Sequence, residues 1–309
     1  MTNQPTRLRL GTRASALARW QAEWVAVRLT ERGVAVDLVP ITTQGDVKTG
    51  PLGQIGGQGL FTKELQRAIL DGQIDLAVHS LKDLPTTPIE GLTIAAVPER
   101  ESVHDVLVSR LARRVEELPS AARIGTGSLR RKAQLLHVRP DLIVNDIRGN
   151  VETRLRKLDE GEFEAIILAE AGLKRLGLGQ QIAHLIPPVT MLSAVGQGAL
   201  GIESRTDDAR TLSLLAPLNH PESFHAVTAE RTLLFTLRAG CLAPVGAWAR
   251  VMQGRLFLES VVLSPDGTRR LSASGTDLIA NANVLGRQVA ELLLKQGAAA
   301  LIAASHAKS

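Results

Sequence analysis

Few residues in this 309-residue chain have side chains suited to chemistry, and their placement is informative. Cys241 is the only cysteine, in Leu237-Arg238-Ala239-Gly240-Cys241-Leu242-Ala243-Pro244, so it can form neither an internal disulfide nor a cysteine-based metal cage. Three roles stay open to it: a small buried apolar residue, a reactive nucleophile, or a point of covalent attachment. Basic residues recur just past short apolar runs. Arg13 follows Leu10-Gly11-Thr12, Lys82 and Asp83 follow Ala77-Val78-His79-Ser80, Arg130 and Arg131 follow Gly125-Thr126-Gly127-Ser128, and Arg148 follows Asp146-Ile147. If those runs are strands of open α/β sheets, the cations lie at carboxyl ends, where such sheets bind ligands. A chance scatter of basic loop residues is the competing reading.

Ser128 suits a helix N-cap and would place Arg130 and Arg131 in the first helical turn. Cations there oppose the helix dipole at about 0.3–1 kcal/mol each. Exposed amide N–H groups with two guanidiniums suit a carboxylate or phosphate, which would offset that cost. Asn150-Val151-Glu152-Thr153-Arg154 repeats the arrangement, with Asn150 as cap. Asp83 beside Lys82 reads either as half of a solvated ion pair or as a carboxylate held ionised by cations, able to stabilise a cationic intermediate or shuttle protons. Gly53-Gln54-Ile55-Gly56-Gly57-Gln58-Gly59 lacks both the P-loop lysine and the dinucleotide spacing. It suits a glycine-hinged lid or a plain flexible loop. The seven histidines show no zinc-protease spacing, and no metal is expected.

The elements that would position these groups alternate through the first 200 residues. Strands are expected over 7–10, 34–41, 74–78, 92–97, 105–108, 123–126, 142–147 and 164–168, with helices over 15–31, 61–70, 129–138 and 151–160. Such alternation predicts α/β domains with mainly parallel sheets. After about residue 218 the texture changes: a helix starts near Pro221, Gly240 is placed to cap its end, and strand-like runs flank Gln253-Gly254. Pro265-Asp266-Gly267 is a turn into a third strand, and a helix over 283–295 closes a small α+β domain.

With 44% hydrophobic and 22% charged residues, the chain has the composition of a globular protein, and no apolar run approaches the roughly 20 residues of a membrane span. Met1–Pro5 lacks the charged and apolar regions of a signal peptide, so a cytoplasmic location is expected. The net charge of +5 is dispersed, and with no tyrosine and five phenylalanines the chain lacks interleaved stacking platforms for nucleic acid. Small anionic ligands fit better.

Taken together, the motifs resemble the porphobilinogen deaminase family. Val78-His79-Ser80-Leu81-Lys82-Asp83-Leu84-Pro85 is similar to its cofactor-binding segment, and Gly125–Arg131, Arg148-Gly149-Asn150-Val151-Glu152-Thr153-Arg154-Leu155, Ala194-Val195-Gly196-Gln197-Gly198-Ala199 and Ala239-Gly240-Cys241 match others in order. The resemblance implies two similar periplasmic-binding-protein-like α/β domains around a cleft, over 1–98 with 199–218 and over 99–198, plus a C-terminal α+β domain over 219–309. It implies a dipyrromethane cofactor joined to Cys241 by a thioether, onto which four porphobilinogen units are condensed with loss of ammonia, before hydrolysis frees a linear tetrapyrrole. Arg13, Arg130, Arg131, Arg148, Arg154 and Arg175 would neutralise the acetate and propionate groups, with Ser15, Lys82, Thr126, Ser128 and Gln197 assisting. Asp83 would face the pyrrole nitrogens and stabilise the cationic azafulvene left by ammonia loss. A monomer is expected.

Four positions depart from the family pattern. Gln54 and Gln58 stand where lysines are expected, so no binding role passes to them; Gly127 replaces a serine and Ala239 a glycine. Two other readings remain. A non-enzymatic anion-binding protein would explain a basic cleft but not Cys241 or a third domain. A cysteine-nucleophile enzyme is disfavoured because Cys241 follows a helix C-terminus, whose negative end opposes a thiolate.

Overall fold

The computed structural model describes residues 7–43, 59, 62–240 and 243–306. The chain divides into two compact units, one of residues 1–100 with 199–224, the other of 101–198 with 225–309.

In the first unit, β1 (Arg7–Thr12) leads through a turn capped by Ser15 into α1 (Ala16–Thr30), then β2 (Ala35–Pro40). α2 (Lys63–Leu70) precedes β3 (Leu76–Ser80), a single turn of 3-10 helix at Leu81–Asp83, and β4 (Leu92–Ala96). The sheet has the order β2-β1-β3-β10-β4, in which β10 is Leu200–Arg205. β1 runs parallel to β2 and β3, while β10 is antiparallel to both β3 and β4. Leu8, Leu10, Leu76, Val78 and Ile202 pack under α1 residues Val25 and Leu29 on one face, and Leu65 and Ile69 of α2 cover the other.

The second unit repeats that order. Strands β5 (Asp105–Ser109), β6 (Arg123–Gly125), β7 (Ile143–Asn145), β8 (Ala165–Ala169) and β9 (His184–Leu185) form a sheet ordered β7-β6-β8-β5-β9. β6 is parallel to β7 and β8; β5 is antiparallel to β8 and β9. The helices α3 (Leu129–Val138), α4 (Val151–Asp159) and α5 (Glu170–Arg175) follow β6, β7 and β8. Both five-stranded sheets are mainly parallel, as expected, with one reversed strand in each, β10 in the first and β5 in the second.

α6 (Ala209–Leu215) and α7 (Pro221–Thr236) follow β10. The C-terminal part of the second unit is a three-stranded antiparallel sheet of β11 (Val245–Met252), β12 (Arg255–Leu263) and β13 (Arg270–Leu278). Gln253 and Gly254, at φ of 49° and 73°, make the two-residue hairpin that the sequence predicts. Two differences appear. α7 ends at Thr236, and the left-handed residue beyond it is Arg238 (φ 51°) rather than Gly240. A further helix, α9 (Ala298–His306), follows the predicted α8 (Ala282–Lys295) and packs Leu301 and Ile302 into the same core as Leu285 and Val289. The fold is thus two α/β sheets with flanking helices and a small C-terminal α+β part.

Candidate functional site

β1 and β3 are adjacent and parallel, with Leu10 opposite Leu76, so the turns after both leave the same edge of the first sheet. Arg13 leaves the first of these turns, half-buried, just before Ser15 caps α1 by accepting from the Ala18 N–H. Lys82 and Asp83 leave the second. Their turn is pinned from below: Leu81 and Leu84 are buried, the Leu81 N–H donates to the Ala199 carbonyl at 3.0 Å, and Gln21 Nε2 donates to Ser80 Oγ at 2.8 Å. A Cβ on Gly201 would lie 2.6 Å from Leu81 Cδ1, so the bare glycine of β10 gives Leu81 its seat. Between these anchors Asp83 is exposed and Lys82 half-buried. The pinned turn presents a carboxylate beside an ammonium.

The second sheet gathers the larger set. Thr126 and Ser128 follow β6, Arg148 follows β7, and Arg175 ends α5 after β8; the three strands are parallel neighbours. Ser128 caps α3 by accepting from the Arg131 N–H, and Asn150 caps α4 through Oδ1 and the Thr153 N–H at 2.8 Å. Both predicted caps are present. Arg148 donates to Asp146 Oδ2 at 2.7 Å, and Arg154 to the Gly149 carbonyl at 2.9 Å. A Cβ on Gly127 would stand 2.9 Å from Asp146 Oδ1, the far end of a half-exposed side chain.

Arg130 and Arg131 are not solvent-facing cations; both are buried. Arg130 NH1 donates to Asp105 Oδ2 at 2.6 Å and to the Leu192 carbonyl at 2.7 Å. Arg131 Nε donates to Asp105 Oδ1 at 2.9 Å, and its NH1 to the Ile167 carbonyl at 2.9 Å. Gln197 Nε2 donates to the Val103 carbonyl at 2.7 Å and to Asp105 Oδ1 at 3.0 Å. Burial alone would raise the Asp105 carboxyl; the charges of Arg130 and Arg131, with bonds from Arg130 and Gln197, outweigh it and hold the group far below the carboxylate range. Sequence reading missed Asp105. The available signal was an acid opening an otherwise apolar strand. Because β5 runs antiparallel, its first residue lies opposite Ala169, at the carboxyl end of β8.

Gln197 sits in a loop that the backbone fixes tightly. Gly198 has φ of 84°, and a Cβ there would lie 2.2 Å from the Glu101 carbonyl oxygen. That conformation and contact leave no room for another residue. The Gly198 carbonyl accepts from Arg175 NH2 at 2.7 Å. Burial pulls the Arg175 guanidinium down to about 10, with Glu101 partly opposing, so it stays charged at neutral pH. Glu230 of α7, fully buried, accepts from the Gly196 N–H and the Ala249 N–H, both at 2.7 Å. It fastens the helix that precedes Cys241 to this loop and to β11. Cys241 itself lies outside the described residues, as do Gln54 and Gln58.

Whether this edge suits a carboxylate-rich group can be tested on one atom. Arg130 Nε is buried and has no hydrogen-bond partner among the described residues, although the guanidinium's other end is bonded to Asp105. Two guanidiniums share one carboxylate, so the trio keeps one net positive charge. A buried unfilled donor with residual positive charge calls for an acceptor, and an anionic one suits it best. Among the described residues, no cluster of three or more His, Cys, Asp or Glu side chains could hold a metal ion, and no helix is long and apolar enough to cross a membrane.

The family model described as porphobilinogen deaminase, dipyrromethane cofactor binding domain, matches residues 8–213, and that of the C-terminal domain of the same enzyme matches 224–295. Among solved structures, the methionine-binding protein MetQ is 13% identical over 75% of this chain and 96% of its own, with a TM-score of 0.45. A periplasmic substrate-binding protein of an ABC transporter from Coxiella burnetii is 15% identical over 74% and 97%, with a TM-score of 0.44.

Proposed function

Since the chain belongs to the porphobilinogen deaminase family, and so is a hydroxymethylbilane synthase of tetrapyrrole biosynthesis, we propose that Asp83 is its reacting carboxylate and that the strand-end cations of each sheet bind substrate carboxylates. Four porphobilinogen molecules are joined head to tail, each losing ammonia as a carbon–carbon bond forms and a pyrrole α-proton departs; water then releases the product. The dipyrromethane cofactor, when bound, supplies the first free pyrrole α-carbon for this growth.

In this reading Asp83 is the catalytic residue. As ammonia leaves, positive charge spreads over the pyrrole, and a fixed carboxylate stabilises it without having to reorganise. The same carboxylate can take the proton lost at bond formation. The observation that carries the assignment is the pinned turn: Asp83 is exposed to reactants, yet its neighbours Leu81 and Leu84 are buried. Lys82 and Arg13, with Ser15 at the cap of α1, bind carboxylates on the same edge. On the second sheet Arg148, Arg154 and Arg175 pair with acetate and propionate groups, Thr126 and Ser128 hydrogen-bond to them, and Arg130, Arg131 and Gln197 form a buried cationic base. Cys241 is the attachment point.

The corresponding domains are 1–98 with 199–218, 99–198, and 219–309, and the protein works as a cytoplasmic monomer. The Asp83→Asn variant tests the reading. It should keep its bound cofactor by intact mass and lose turnover by about 10²-fold or more, the size of a lost electrostatic or acid–base contribution. Near-normal turnover would remove Asp83 from the chemistry.

A further inference from the structure

Beside the turn that carries Arg13, the first unit contains a cavity of about 310 Å³ between that turn, α1 and β2. The mechanism above uses Arg13 and leaves the rest of the lining unexplained. Arg19 and Glu23 of α1 form one side, and Leu38 and Pro40 of β2 form the other. Leu38 is 38% exposed, a large apolar side chain left uncovered next to Val39, which packs against the core. Arg19 pairs only loosely with Glu23, at 3.6 Å with both side chains more than half exposed. Such an exposed pair gives up its partner at little cost. A guanidinium released from it offers a planar fork of donors to a carboxylate. The wall opposite, of leucine and proline, suits the face of a flat ring.

We infer that this cavity is a further subsite for one carboxylated pyrrole ring, with Arg19 as its specificity-determining residue. The inference rests on the family activity and extends it to residues that activity does not require. The volume is at the lower end of the roughly 300–1,000 Å³ typical of small-molecule sites, enough for a single substituted ring and too small for a linear tetrapyrrole. The ring is either that of incoming porphobilinogen or one unit of the chain being built; both present the same acetate and propionate groups. Arg19 would hold such a group from α1 while Arg13 reaches it from the turn.

The test uses the full-length, cofactor-loaded enzyme and the variants Arg19→Gln and Arg19→Lys. If the ring is incoming substrate, Arg19→Gln raises the KM for porphobilinogen roughly three- to tenfold with kcat nearly unchanged, the loss expected for one half-exposed charge-assisted contact. If it belongs to the growing chain, KM holds and limiting substrate shifts the distribution of enzyme species carrying one to four added pyrroles, read by intact mass. Arg19→Lys should restore either effect in part. A folding defect is separated by the thermal midpoint, which should not move for so exposed a side chain. Unchanged KM and unchanged species distribution in Arg19→Gln would overturn the subsite while the wild-type enzyme still made product. A wild-type enzyme inert toward porphobilinogen would overturn the family reading instead.

Discussion

Replacing Asp105 by asparagine probes the second sheet most directly. The substitution keeps shape and removes one charge, leaving the buried Arg130 and Arg131 guanidiniums facing each other across a neutral amide. Taking one partner from a buried pair strands the others without compensation, at about 3–5 kcal/mol. For a unit of this size each kcal/mol moves the midpoint by about 2–4 °C, so the transition that reports the second unit should fall by about 6–20 °C. The pH dependence has a definite sign. The folded carboxyl lies below its unfolded value, so its contribution is complete above about pH 4 and is lost only as pH falls through the depressed folded value. The gap between wild type and Asp105→Asn should therefore stay constant from pH 5 to 8 in thermal melts. Released from Asp105, the two arginines should also bind product anions more tightly and slow turnover. A midpoint change under about 2 °C would refute the claim that this carboxylate organises the pair.

Much of this organisation is legible in the sequence. Ser128 and Asn150 announce their helices because a short polar acceptor before an apolar-periodic run has few other uses, and both caps form. The strand-end placement of Arg13, Lys82, Asp83 and Arg148 follows from the same alternation. Strand direction does not, because a period-two pattern is identical read either way. The reversal of β5 and β10 is thus hidden, and with it the reason Asp105 meets two arginines more than twenty positions away. The expectation that Arg130 and Arg131 stand as paired cations in a first helical turn gives their position but not their burial. Glu230 is obscure for a related cause: an acid on a mixed helix reads as solvated until two backbone N–H groups are seen to converge on it. Ala298–His306, rich in alanine, carries no amphipathic period to mark it.

Two further perturbations separate attachment from catalysis. Cys241→Ser should yield protein whose intact mass lacks the two linked pyrrole units of the cofactor, whereas active wild type of unmodified mass would eliminate the tether. Gly201→Val tests how Asp83 is held. The glycine's ideal Cβ already lies 2.6 Å from Leu81 Cδ1, and Leu81 is 1% exposed, with no slack to yield. A branched side chain on β10 must push Leu81 outward, straining the bond from its N–H to the Ala199 carbonyl and moving the turn that presents Lys82 and Asp83. Overpacking of this kind costs about 1–3 kcal/mol, small enough for the protein to stay folded. Displacing a catalytic group by about 1 Å can nevertheless cost about 10²-fold in rate. Gly201→Val should therefore show a modest fall in thermal midpoint, retained cofactor mass and a large loss of kcat. Unaltered kcat in a stably folded variant would mean that Asp83 takes its position from something other than Leu81.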